Sequence, residues 1–245
     1  MAKHDLMPGD DGRGKCSHPA NTLTRRRELN LISRGFFLSL DGLDGTGKST
    51  QCRQLAAWLS ARKIPVTLAV DPGGTQLGQR IREFLLYDRD LQLCMRTEAL
   101  LFMASRAELV EQVIRPALAR GDVVLSDRFI LANVVYQGYA GGLSPEMLWS
   151  IGDFCSDGLR PDLTIVLDLP LPKSRERRAS SSDRLESRGE EYHQKVRDGF
   201  LQEARRFPES IQVIDAQPPI AEVTSSIIQL LLPRLKQRGY PLTEE

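Results

Sequence analysis

At 245 residues, with 41% hydrophobic and 27% charged side chains, the chain has an ordinary globular composition and the length for one large domain or two small ones. A net charge of +1 excludes any reading that rests on bulk attraction to nucleic acid or to an anionic membrane surface. Cys16, Cys52, Cys94 and Cys155 form no C-x-x-C pair, so reduced thiols are expected rather than a zinc site or a disulfide framework.

Residues 1–34 are read as a disordered N-terminal extension, rich in small, polar and charged residues. Arg25-Arg26-Arg27 is a short basic run with no interleaved aromatic, and it is not read as a nucleic-acid arm. The start of the chain lacks the apolar block of a secretory signal, and no apolar run approaches the ~20 residues that span a bilayer. The expectation is a cytoplasmic protein that engages neither membrane nor nucleic acid.

From Gly35 the pattern becomes regular. Five short apolar runs, at 36–41, 66–70, 122–127, 163–169 and 211–216, are continuous rather than alternating, which predicts strands covered on both faces, as in a parallel sheet. Between the first two, Cys52, Leu55, Ala56 and Leu59 mark one face of a helix that stops at Ile64-Pro65. The segment from Thr97 to Gly121 predicts a long helix or a pair, bent or restarted at Pro116. A last helix runs from Pro219 to Lys236, with Ile220, Val223, Ile227, Leu230 and Leu231 at helical spacing. Alternating strands and helices predict a doubly wound α/β domain over 35–236, followed by a C-terminal tail at 237–245, with ligands at the carboxyl ends of the strands.

The stretch Gly42-Leu43-Asp44-Gly45-Thr46-Gly47-Lys48-Ser49-Thr50 satisfies G-x-x-x-x-G-K-[ST] between a predicted strand and a predicted helix, the context that gives this pattern meaning. Its glycines let backbone N–H groups converge on phosphate oxygens, and the following helix adds its positive end. Lys48 would span the β and γ phosphates of ATP, and Ser49 would offer its hydroxyl to Mg²⁺. The chain contains no N-K-x-D stretch of a GTPase.

Three further stretches follow: DPGGT at 71–75, LLFMASRAELV at 100–110, and SDRFILANVVYQGYAGGL at 126–143. With the phosphate loop, in this order, they resemble the thymidylate kinase family, whose members phosphorylate dTMP to dTDP with ATP for dTTP synthesis. The resemblance implies a P-loop NTPase-type fold: a five-stranded parallel sheet with helices on both faces. Phe102 and Arg106 lie one helical turn apart and share a face. The resemblance makes Phe102 the ring that stacks on the pyrimidine and Arg106 the guanidinium at its carbonyl edge. It further implies that Arg128 clamps the dTMP phosphate, that Tyr136 and Gln137 form the pair at the deoxyribose, that Asn133 reads the thymine edge, and that Asp44 sits near the sugar hydroxyl and the metal's water shell.

Two departures stand out. Asp71 replaces the more usual Glu, and Ala132 stands where many relatives carry Ser or Thr. Residues 172–190 resemble the lid over ATP, with the D-R-[IL]-E stretch at Asp183–Glu186. The usual arginine register falls on Ala179, so a shift of one residue makes Arg178 the catalytic lid arginine. Arg175 and Arg177 lie upstream. A homodimer is also implied by the resemblance. Two alternatives stay open at this stage: a kinase for another nucleoside or nucleotide, and a catalytically weak nucleotide-binding regulatory module.

Overall fold

A computed structural model of the chain describes residues 35–88, 92–177 and 188–242, which belong to a compact unit spanning Ser33–Glu245. The five apolar runs become β1 (Phe36–Gly42), β2 (Val66–Val70), β3 (Val123–Asp127), β4 (Leu163–Asp168) and β5 (Ile211–Asp215). All neighbours pair in parallel, in the order β2-β3-β1-β4-β5. β1 is therefore central, and the chain leaves it first toward one edge and later toward the other. The crevice where the connections diverge opens at the C-terminal end of β1.

Alternation along β1 divides the core. Phe36, Leu38 and Leu40 join Cys52, Leu55 and Leu59 of α1 (Lys48–Ala61) and Val223, Ile227 and Leu231 of α9 (Ile220–Gln237) on one face. Phe37 points the other way, into a cluster with Leu109, Val110, Ile114, Phe129 and Val134. On that second face β1 also carries Ser39 and Asp41, both fully buried, so the strand ends in a carboxylate beneath the phosphate loop.

Helix α2 (Gln76–Tyr87) begins at Thr75, whose hydroxyl accepts the Gly78 N–H at 2.9 Å. The long predicted helix is α3 (Met95–Leu109), a π-helical turn at Val110–Ile114, and α4 (Arg115–Arg120) with Pro116 in its first turn. A proline is tolerated there because its missing N–H falls where the ladder is already interrupted. After β3 come α5 (Ile130–Asn133) and a second π-helical segment, Val134–Tyr139. Then follow α6 (Pro145–Cys155), α7 (Leu171–Arg177) and α8 (Glu190–Arg206).

The sequence placed a tail after residue 236, but residues 238–242 pack back on the body. Arg238 donates to the Gly35 carbonyl at 2.8 Å and pairs with Asp162, and the Tyr240 hydroxyl donates to the Gly121 carbonyl at 2.9 Å. The proposed extension at 1–34 and the lid centre at 178–187, including Arg178, lie outside the described residues. Among the described residues no helix is long and apolar enough to cross a membrane.

Candidate active site

The crevice above β1 contains a cleft of about 480 Å³. The phosphate loop forms its floor because β1 must turn sharply there. Gly42 has φ 130°, and a Cβ at this position would lie 2.5 Å from the Leu167 carbonyl oxygen of the neighbouring strand. Only glycine combines that dihedral with that approach. Gly47, at φ 95°, immediately precedes α1, whose first N–H groups face the cleft.

Asp44, Gly45, Gly47, Lys48, Ser49 and Thr50 line the cleft, whereas Gly42, Leu43 and Thr46 lie beneath it. Lys48 Nζ donates to the carbonyls of Leu43 at 2.8 Å and Gly42 at 3.3 Å, and it stands 3.7 Å from Asp44. Burial, followed by repulsion from Arg128, pulls its pKa below the ordinary lysine value. Ser49, at the exposed mouth, donates to Asp127 at the end of β3. A hydroxyl and a carboxylate are hard oxygen donors that suit a divalent metal. No group of three or more His, Cys, Asp or Glu among the described residues could hold one, so such an ion would take its remaining ligands from nucleotide phosphates and water.

Arg128 begins where β3 ends, in a backbone conformation uncommon for a non-glycine residue, φ 73°. Its N–H donates to the Leu40 carbonyl, and its own carbonyl accepts from Ser126 Oγ at 2.6 Å. Those bonds hold the turn and aim the side chain across the cleft. Nη2 donates to Asp44 Oδ1 at 2.5 Å and to the Tyr136 hydroxyl at 3.1 Å, and Tyr136 in turn donates to Asp44 Oδ2 at 3.2 Å. Burial works to raise the Asp44 pKa, but the charges of Arg128 and Lys48 outweigh it and hold the carboxyl below its usual range. Arg128 itself stays charged: burial opposes its charge, but the Asp44 carboxylate raises its pKa above the ordinary value. Its Nη1 is buried without a partner, a donor left for a ligand anion.

The other end of the cleft is apolar on one side. Phe102 of α3 lines it, backed by Ile81, Leu85 and Leu86 of α2. Arg106, one turn further along α3, is almost fully buried. Its Nε donates to Asp71 Oδ2 at 2.5 Å, and its Nη2 donates to Asn133 Oδ1 at 2.6 Å and to the Phe129 carbonyl at 3.2 Å. The shortened acid at position 71 thus reaches Arg106 directly, and its Oδ1 has no partner. Burial raises the Asp71 pKa despite the adjacent Arg106. Ala132, Asn133, Tyr136 and Gln137 complete this end. The Phe102, Arg106, Asn133, Tyr136 and Gln137 side chains singled out in the sequence are therefore brought together with the phosphate loop and Arg128.

Of the lid arginines, Arg177 lines the cleft while donating to the Ala216 carbonyl at 2.7 Å and the Gln217 carbonyl at 3.0 Å, and Arg175 pairs with Glu190 at 2.9 Å. Several participants were not picked out from the sequence. Ser174 Oγ of α7 donates to the Asp44 carbonyl at 2.6 Å. Glu98, at the helical positions i and i+4 with Phe102, accepts from Gln137 and Arg188. The shared face of Glu98, Phe102 and Arg106 was a signal available in the sequence; the reach of Ser174 was not.

A glycine-turned strand-to-helix loop, its lysine, and a facing arginine at the end of a neighbouring parallel strand define a P-loop nucleotide-binding protein with room for a second anion. The family profile described as thymidylate kinase matches residues 40–227. A thymidylate kinase of Rhodopirellula baltica is 46% identical over 217 residues, 87% of this chain and 88% of the relative, and one of Symbiobacterium thermophilum is 45% identical over 202 residues, 81% of this chain and 94% of the relative. The crystal structure of thymidylate kinase from Ehrlichia chaffeensis superposes with a TM-score of 0.66 at 30% identity, covering 80% of this chain and 98% of that one. The chain belongs to the thymidylate kinase family, and it is an enzyme of the kinase class.

Proposed function

We propose that this chain transfers the γ-phosphoryl group of ATP to the 5′-phosphate of dTMP, giving ADP and dTDP. The observation that carries the reading is the opposition of two anion sites in one cleft: the phosphate loop with Lys48 on one side, and Arg128 with its unpartnered Nη1 on the other. An oxygen of the dTMP phosphate attacks the γ-phosphorus, and the bond to the β–γ bridging oxygen breaks. The acceptor phosphate is already largely ionised near neutral pH, so the work is positioning two anions and neutralising the charge between them.

Lys48 leaves the Leu43 and Gly42 carbonyls to meet the donor phosphates. Arg128 binds the acceptor phosphate with its planar fork, while Asp44 and Tyr136 hold that fork in place. Asp44 also stands near the acceptor sugar. Phe102 stacks on the base, Arg106, Asn133 and Gln137 face its polar edge, and the Tyr136 ring lies against the deoxyribose. The metal we assign is Mg²⁺: Ser49 would hold it, with Asp127 beside it, and it would neutralise charge on the donor phosphates. Arg178 is the candidate lid arginine on the donor side.

The assay is ADP formation with MgATP against dTMP, dUMP, dCMP, dGMP and no acceptor. Turnover driven by dTMP above the others supports the reading. Preference for another acceptor moves the substrate, and ATP binding without transfer to any nucleotide points to a regulatory module. We also propose a homodimer, supported by exposed Leu77 and Phe84 on α2, Leu100 on α3, and Met147 and Phe154 on α6. Light scattering that finds only monomer at micromolar concentration would remove it.

A further inference from the structure

The phosphate loop contains one peptide plane whose direction the loop itself does not decide. Residues 43–46 form a β-turn: the Thr46 N–H donates to the Leu43 carbonyl at 3.4 Å, and the Thr46 hydroxyl donates to the same oxygen at 2.8 Å. Gly45, third in the turn, has φ 81°, whereas the φ of Asp44 before it is negative. That combination is the type II form. Type I differs from it by a half-turn of the central peptide, here the one between Asp44 and Gly45, through Asp44 ψ and Gly45 φ. Glycine takes either sign of φ, so both forms are open to the turn. Either leaves the ends of the turn in place and the Asp44 side chain on Arg128.

A contact from α7 chooses between them. Ser174 is fully buried and does not line the cleft, and its hydroxyl donates to the Asp44 carbonyl at 2.6 Å. Arg177 anchors the same short helix to the Ala216 and Gln217 carbonyls. In a trans peptide the N–H points opposite to the C=O. With the carbonyl turned to α7, the Gly45 N–H is turned away from it, on a residue that lines the cleft. That N–H makes no hydrogen bond among the described residues. In the type I form the two directions exchange: the carbonyl oxygen takes the place of the N–H, and the Ser174 hydroxyl is stranded in the interior.

We propose that Ser174 is a positioning residue for the donor nucleotide: it holds the peptide between Asp44 and Gly45 in the orientation that presents the Gly45 N–H to a phosphate oxygen of ATP. The inference rests on the reading of the loop as the donor-phosphate site. Replacing Ser174 by alanine moves the stranded group from one form to the other. In type II the Asp44 carbonyl then meets a methyl group in the interior, whereas in type I it reaches the water of the cleft, and an unpaired buried carbonyl is the costlier state. The nucleotide-free turn therefore shifts toward type I. ATP must reverse that shift to bind, so its apparent affinity falls by the fraction of turns that are competent. Once bound, ATP holds the turn in type II, and turnover at saturation is spared.

The test is steady-state turnover with ATP and dTMP varied in turn, with calorimetric dissociation constants for each, in the full chain and in Ser174→Ala. The expected result is a rise of about threefold to tenfold in both KM and Kd for ATP, with kcat and the Kd for dTMP changed by less than about twofold. Gly45→Ala disfavours the positive φ and should weaken ATP by itself. Adding Ser174→Ala to it should cost little more, because both substitutions release the same peptide. Unchanged ATP affinity in Ser174→Ala, a loss shared equally by dTMP, a fall confined to kcat, or losses that add in full in the double variant would each overturn the inference while leaving ATP as the donor. A parent protein that binds no ATP overturns both.

Discussion

Asp41, at the end of β1, offers the most quantitative test of how the phosphate loop is supported. It is fully buried, its Oδ2 accepts from Ser39 Oγ at 2.8 Å, and its Oδ1 has no partner. Burial drives its pKa from the ordinary 3.8 up to about 6; Ser39, Arg128 and Lys48 pull it back and Asp127 adds to the rise. Because the folded carboxyl holds its proton more tightly than the unfolded one, the stability linked to that proton is fully present below 3.8 and is lost as pH rises through about 6. The resulting penalty is about 1.5 kcal/mol at pH 5 and about 3 kcal/mol at pH 8.

Asp41→Asn removes the titration and nearly keeps the shape. Any cost of the amide is the same at every pH, so the informative quantity is the change in the stability difference between the two proteins. Urea unfolding of the nucleotide-free protein in EDTA at pH 5 and pH 8 should show the variant gaining on the parent by about 1.5 kcal/mol over that interval. A constant difference across the range, or a variant that loses ground as pH rises, would refute the assignment of a desolvated carboxyl beneath the loop.

Lys48→Ala should lower kcat on the order of 10³-fold in steady-state assays, by loss of charge stabilisation at the donor phosphates. Arg128→Ala should raise KM for dTMP far more than KM for ATP. Arg128→Gly should lose the same affinity yet unfold with about 1 kcal/mol more stability than Arg128→Ala, because glycine relieves the positive φ; equal melting temperatures for the two would contradict the strain. Gly42→Ala should cost more than about 2 kcal/mol in chemical unfolding, since the Leu167 carbonyl cannot yield without disturbing the β1–β4 ladder.

The strands were legible because burial on both faces leaves continuous apolar runs, and Phe36–Gly42 through Ile211–Asp215 follow them to within a residue or two. The phosphate loop was legible because its glycines, lysine and hydroxyl must be close in sequence to be close in space. Hydrogen bonds that join distant elements were not. Ser174 meets Asp44 across 130 positions, and Arg188 meets Glu98 across 90, and no local pattern encodes such a meeting. Asp71 shows the same limit in another form: its missing methylene was visible, but its short bond to Arg106 depends on where α3 packs.

The central claim is that one cleft passes a phosphoryl group directly from ATP to dTMP. Incubating the protein with dTMP, Mg²⁺ and ATP carrying ¹⁸O in its γ-phosphoryl group, then reading the products by ³¹P NMR, tests it most directly. The label should appear on the β-phosphorus of dTDP, in step with ADP formation. Label found only in inorganic phosphate, or retained in ATP while dTMP stays unchanged, would contradict it.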